Sequence, residues 1–266
     1  MNKFIKKDWI ESAFKDLGIK KYTKIQNYTI PKIIRGENCI GVSPTGTGKT
    51  YCFLLPILDN LDQNIQKVQA IIILPTRELA RQIYSKFNFF KKYFNFNLKL
   101  IIGGNTTENF NNDQIIVSTP QKFLEAAISK KIDLSFVEII VFDEVDMLID
   151  ANNGELFKNI FESIPKIESV QKVAFSATLH EMLSNQLAIY FKNTPIYNIS
   201  ESIWKNSNKL KHNLIHSDES KEITLKAIVN EIKPFFCIIF ANKKTEVEEI
   251  YLFLKEQGID ISMLHG

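Results

Sequence analysis

Cysteine is scarce in this chain, with Cys39, Cys52 and Cys237 the only three in 266 residues. Their spacing fits neither a zinc-ligand pattern nor a disulfide framework, so a reducing, cytoplasmic setting is expected. Histidine is nearly as thin, with four residues. His180, His212 and His216 lack the partner spacing of a metal set and read as surface or packing residues. No uninterrupted apolar run is long enough to cross a bilayer, so no membrane span is expected. The opening MNKFIKKDWIESAF has no apolar core followed by a small-residue cleavage site. It reads as the start of an amphipathic helix, not a signal peptide. Nor does one sign of charge dominate: 33 Lys plus Arg against 30 Asp plus Glu give +3. That balance permits nucleic-acid binding without arguing for it.

What the chain does contain is an alternation of short apolar runs and longer helical patterns. A hydrophobic share of 45% against a charged share of 24% is ordinary for a globular protein. The length suffices for one large domain or two smaller ones. Residues 38–42, 70–75, 98–103, 114–119, 137–142 and 170–176 read as buried strands. Residues 50–59, 76–91, 121–128 and 179–190 read as helices, with Pro56 expected to kink or end the first of them. The phenylalanines between Phe87 and Phe96 read as packing, and KKIDLS after Ser129 as a solvated loop. Near-continuous branched strands separated by crossover-length helices predict an α/β fold with a mostly parallel sheet covered on both faces. Residues 1–200 are assigned to this first domain and the polar stretch 201–212 to a linker. The pattern then restarts over 213–266, with HNLIHS, CIIFA and DISML as strands. A parallel sheet cut behind the last of them leaves an open edge, so this second unit is expected to be incomplete.

Two segments carry chemistry. SPTGTGKT, Ser43 to Thr50, lies between a strand and a helix. Gly46 and Gly48 let the backbone curl so that several N–H groups face one anion, and the helix adds its positive end. Lys49 can reach β and γ phosphates, and the Thr50 hydroxyl can ligate Mg²⁺. VFDEVD, Val141 to Asp146, places three acids behind an apolar run. Alone it reads as a solvated turn. Beside a phosphate loop, Asp143 is placed to hold Mg²⁺ through water and Glu144 to activate the attacking water.

With these motifs in order, the chain closely resembles the DEAD-box ATP-dependent RNA helicases of superfamily 2, from near Phe4 to Gly266. GIKKYTKIQ resembles the Q motif, SPTGTGKT motif I and PTRELA motif Ia. Gly103–Gly104 match the double glycine, STPQK resembles the TPGR motif, DEVD stands at Asp-Glu-Ala-Asp, and SAT at 176–178 matches motif III. IIFANKK resembles motif IV of a second domain. The resemblance implies two RecA-like domains, of which the second is only begun here. It also implies roles. Gln26 would select adenine. Ser43, Thr45, Gly46, Thr47, Gly48, Lys49 and Thr50 would bind ATP, with Thr50 and Asp143 holding Mg²⁺ and Glu144, Asp143 and Lys49 in catalysis. Pro75, Thr76, Arg77, Gly104 and Thr119 would lie along an RNA backbone. Asp146, Ser176 and Thr178 would couple the two sites. Backbone N–H groups, hydroxyls and one Arg suit phosphates and 2′-hydroxyls, so RNA binding without sequence specificity is expected, by a monomer.

Several positions depart from the family pattern. Val145 replaces alanine in the acidic motif, Tyr22 the usual proline and Ile19 a frequent phenylalanine of the Q motif, and Gln121–Lys122 the Gly-Arg of TPGR. Nothing in the sequence matches motifs V and VI, whose arginine finger is worth roughly 10³ to 10⁵ in rate in other nucleotide hydrolases. ATP binding with slow hydrolysis and poor unwinding is therefore expected of these 266 residues. The alternative reading is an ATP-gated RNA-binding module.

Overall fold

The computed structural model describes residues 4–5, 7–103, 110, 112–149, 154–199, 211 and 213–265. The chain falls into two compact units, Met1–Ser207 and Asn208–Gly266. In the first, helices α1 (Trp9–Asp16) and α2 (Lys24–Ile34) precede strand β1 (Cys39–Val42) and helix α3 (Lys49–Asn60). Then come β2 (Ala70–Ile73), α4 (Arg77–Phe89), β3 (Leu98–Ile101), β4 (Ile115–Ser118) and α5 (Pro120–Ile128). The unit closes with β5 (Ile139–Phe142), α6 (Val145–Leu148), α7 (Gly154–Ser163), β6 (Gln171–Ser176), α8 (Glu181–Tyr190) and β7 (Ile196–Asn198).

The strands form one seven-stranded sheet in the order β3-β4-β2-β5-β6-β1-β7. Every neighbouring pair is parallel, which bears out the expected α/β sheet and gives a single RecA-like domain. Alternation along each strand divides the core into two layers. Ile72, Val141, Val173 and Phe175 face the layer containing Ile25, Phe53, Leu54 and Phe87. Ile71, Ile73, Ile140 and Phe142 face the other, with Phe123, Phe157 and Leu187. Both faces are thus buried, as the unbroken apolar strands require. Phe87, Phe90, Phe94 and Phe96 are buried, in keeping with packing.

Two local expectations are corrected. Pro56 does not end α3, which continues to Asn60 with Pro56 buried inside it. Contacts of its neighbours Phe53, Leu55, Ile57 and Leu58 in the core hold the segment helical against the lost N–H. The KKIDLS loop is anchored, because Ile132 and Leu134 are buried. His180 is exposed, in keeping with a surface residue, and also caps α8, its Nδ1 accepting from the Leu183 N–H at 3.2 Å.

The second unit has helices α9 (Lys221–Ile232) and α10 (Lys244–Glu256). No strand forms among its described residues, so the expected strands around Leu214, Ile238 and Ile261 are corrected to segments without ladder partners. An apolar run becomes a strand only when a neighbour takes its N–H and C=O groups. Leu214, Phe235, Phe240 and Leu264 are accordingly exposed. His212 lies outside the described residues.

Candidate active site

The register brings the sequence motifs to one edge of the sheet. Ile73 pairs with Phe142 and Ser118, and Val42 with Ser176, so the C-terminal ends of these strands are level. Loops leaving that edge of an open parallel sheet are where ligands bind. Ser43, Asp143 and Ser176 stand at the ends of β1, β5 and β6. Pro75 to Arg77, Gly103 and Thr119 stand at the ends of β2, β3 and β4. One edge therefore carries two adjacent halves.

In the first half, Gly46 and Gly48 take the left-handed backbone, at φ 77° and 88°. A side chain at Gly48 would come 2.4 Å from Gln26 Nε2. Ser43 Oγ and Thr47 Oγ1 lie 2.8 Å apart, and Thr47 Oγ1 donates to the Pro44 carbonyl at 2.8 Å. Thr45 and Gly46 are exposed at the tip. The loop opens into α3, whose first residues, Lys49 and Thr50, are buried. Gln26 clasps this loop: its Nε2 donates to the Gly48 carbonyl at 3.0 Å and its Oε1 accepts from the Thr23 N–H at 2.9 Å. Thr23 and Gln26 form the capping box that starts α2.

The acids meet this loop directly. Phe142 is held by Phe157 and Phe161, at ring distances of 4.5 and 5.3 Å, so the strand end that aims Asp143 is fixed. Asp143 is buried, its N–H donating to the Ile73 carbonyl at 3.0 Å and its Oδ1 accepting from the Glu144 N–H at 3.1 Å. Glu144 sits at φ 51°, ψ 50°, a strained conformation for a residue with a side chain. Lys49 donates to the Ser43 carbonyl at 3.1 Å and pairs with Glu144 at 3.3 Å. Burial drives the Asp143 carboxyl up to about 7, and the Glu144 charge pushes the same way; Lys49 and, further off, Lys86 oppose it.

Whether these residues suit magnesium can be read from the donor set. Among the described residues no group of three or more His, Cys, Asp or Glu could hold a metal. One hydroxyl (Thr50) and one buried carboxylate (Asp143) are instead hard oxygen donors, suited to a cation that keeps waters and shares a substrate's phosphates. Burial favours the neutral carboxyl of Asp143, so a cation beside it would favour its charged form. The residues fit.

Asp146 accepts from the Thr178 N–H at 3.1 Å and from Thr178 Oγ1 at 2.8 Å. Its other oxygen is buried without a partner. Ser176 reaches Thr178, donating to its carbonyl at 2.6 Å. In the second half, Thr76 caps α4, accepting from the Leu79 N–H at 3.2 Å, and the exposed Arg77 lies over Gly103. Thr119 caps α5. Gly104 lies outside the described residues. The sequence reading missed Lys86, whose ammonium donates to Thr50 Oγ1 at 3.0 Å. No sequence signal marks it, because the contact depends on how α4 packs beside α3.

Residues 23–185 match the DEAD/DEAH box helicase family. The chain belongs to that family. The helicase relatives include DEAD-box ATP-dependent RNA helicase CshB of Staphylococcus aureus, 33% identical over 96% of this chain and 58% of the relative. The probable ATP-dependent RNA helicase ddx49 of Dictyostelium discoideum is 33% identical over 97% of this chain and 52% of the relative. The chain thus spans little more than half the length of these helicases. A solved structure of S. cerevisiae Dbp5 bound to RNA and ADP BeF3 superposes with a TM-score of 0.80 at 26% identity, covering 98% of this chain and 67% of that one.

Two departures from the helicase pattern find their place in the packing. Val145 is fully buried in the layer beneath the acids, so its extra methyl groups fill core space. Tyr22 is buried between the rings of Phe4 and Phe14, at 5.3 and 5.4 Å. No helix among the described residues is long and apolar enough to cross a membrane.

Proposed function

We propose that this chain is the nucleotide-binding part of an ATP-dependent RNA helicase, binding Mg²⁺–ATP on one half of the sheet edge and an RNA backbone on the other. The observation that carries the reading is the meeting of Lys49, Thr50, Asp143 and Glu144 at the phosphate loop, through the Lys49–Glu144 pair and the paired ends of β1, β5 and β6.

In this reading the loop N–H groups and the start of α3 cradle the phosphates. Lys49 transfers its charge from Glu144 to the phosphate oxygens. Glu144, then released, orients the attacking water and accepts its proton. Thr50 and Asp143 would hold Mg²⁺, which neutralises charge developing on the phosphates. Gln26 keeps one N–H and one lone pair of its amide for an adenine edge. Arg77, Thr76, Pro75 and Thr119, with Gly104, track the RNA backbone without reading bases. The Asp146–Thr178–Ser176 chain joins the acid loop to the end of β6 and couples the two halves. Residues 213–266 are the opening of a second RecA-like domain after a linker at 201–212, and the chain acts as a monomer in the cytoplasm.

RNA binding to filters, measured across salt with a non-hydrolysable ATP analogue, tests the RNA half. Affinity is expected to fall steeply with salt, equally for unrelated sequences, and Arg77→Ala to flatten that slope. Strong preference for one sequence would contradict it.

A further inference from the structure

We propose that Lys86 sets the magnesium requirement of the nucleotide site by competing with the metal for the Thr50 hydroxyl. The inference rests on the reading of that site as one for Mg²⁺–nucleotide. Lys86 is an exposed residue of α4, and the proposed mechanism gives it no task. Yet its ammonium donates to the buried Thr50 Oγ1 at 3.0 Å, across two helices.

A hydroxyl oxygen has two lone pairs, so an ammonium and a metal could both touch it. They would then share one neutral oxygen as close, like charges. The buried anion that offsets them is Asp143. Glu144 is paired with Lys49, whose own ammonium is buried and held by the Ser43 carbonyl. The site thus has one buried cation that stays within it, Lys49, and one that can leave it, Lys86. An exposed lysine stem can carry its strongly hydrated ammonium out to solvent. Metal entry therefore expels Lys86 from Thr50, and the free energy of that expulsion is subtracted from metal affinity. Lys86 is a positioning residue in this account, acting through Thr50.

The test is binding of a fluorescent ATP analogue to the full chain, titrated with Mg²⁺, for wild type, Lys86→Met, Lys86→Gln and Lys86→Arg. The magnesium concentration at half-saturation is expected to fall about tenfold in Lys86→Met and Lys86→Gln and to stay near wild type in Lys86→Arg. In EDTA the same neutral variants are expected to bind the analogue no better than wild type, because a cation near the phosphates has been lost. Loosened packing would weaken binding in both conditions together, and that outcome would overturn the proposal. So would an unmoved magnesium midpoint in both neutral variants. If wild type binds no nucleotide at any magnesium concentration, the reading of the site fails as well; if it binds and only the midpoint stays fixed, the role of Lys86 alone is lost.

Discussion

Lys172 places a charged side chain within β6, buried, with its ammonium donating to the Val170 carbonyl at 3.2 Å. Burial holds its pKa below 10.5, with Glu168 pulling partly back. The unfolded chain therefore keeps this proton to higher pH than the folded one, so the cost of burying Lys172 is complete at low pH and shrinks as pH rises toward 10.5. Lys172→Met is expected to stabilise the protein at pH 7 by about 1 kcal/mol, with the gain diminishing in alkaline buffer. Urea unfolding at pH 7 and above pH 9 checks both size and trend. Gly48 gives a second residue-level test. Its φ of 88° strains any residue with a Cβ, and a methyl group would come 2.4 Å from Gln26 Nε2, which would have to move. Gly48→Ala is expected to cost about 1–3 kcal/mol, read by thermal melting, and to unseat Gln26 from the loop.

Among the elements, β1 and β6 are tied by a close fit. A Cβ at Gly41 would lie 2.4 Å from the Phe175 ring, buried on the neighbouring strand. Gly41→Ala is expected to destabilise by about 2 kcal/mol through overpacking, measured by denaturant unfolding. Strands β1 to β6 were legible in sequence because burial on both faces demands continuous branched residues. Strand β7 was not, since Ile196–Asn198 is an edge strand whose residues are exposed or half-exposed and carry no such run. Nor was α2, where Pro31 interrupts the helical pattern and the capping box alone marks the start. In the second unit the apolar runs looked like strands, but pairing depends on neighbours that no single segment encodes. At the candidate site, motif spacing singles out Lys49, Thr50, Asp143 and Glu144, which lie in segments that follow strand ends. Lys86 reaches Thr50 only through helix packing and left no trace in the spacing.

For the molecule as a whole, the sheet order places β5, β6 and β1 beside one another and β3, β4 and β2 beside one another. That order sets the candidate ATP residues and the candidate RNA residues side by side on one edge, with Asp143 hydrogen-bonded to the Ile73 carbonyl at the seam. Thr178 and Asp146 link the end of β6 to the acid loop. A ligand at the phosphate loop and one beside Arg77 would thus touch a continuous set of strand ends, a geometry suited to coupled binding. The most direct measurement is equilibrium binding of ATP with Mg²⁺ by calorimetry, for the wild-type chain and for Lys49→Ala with its fold verified by circular dichroism. Saturable binding at one site is expected, with ATP outcompeting GTP and affinity weakened about tenfold or more in Lys49→Ala. A folded wild-type chain that binds no ATP, or a Lys49→Ala variant that binds it equally well, would contradict it.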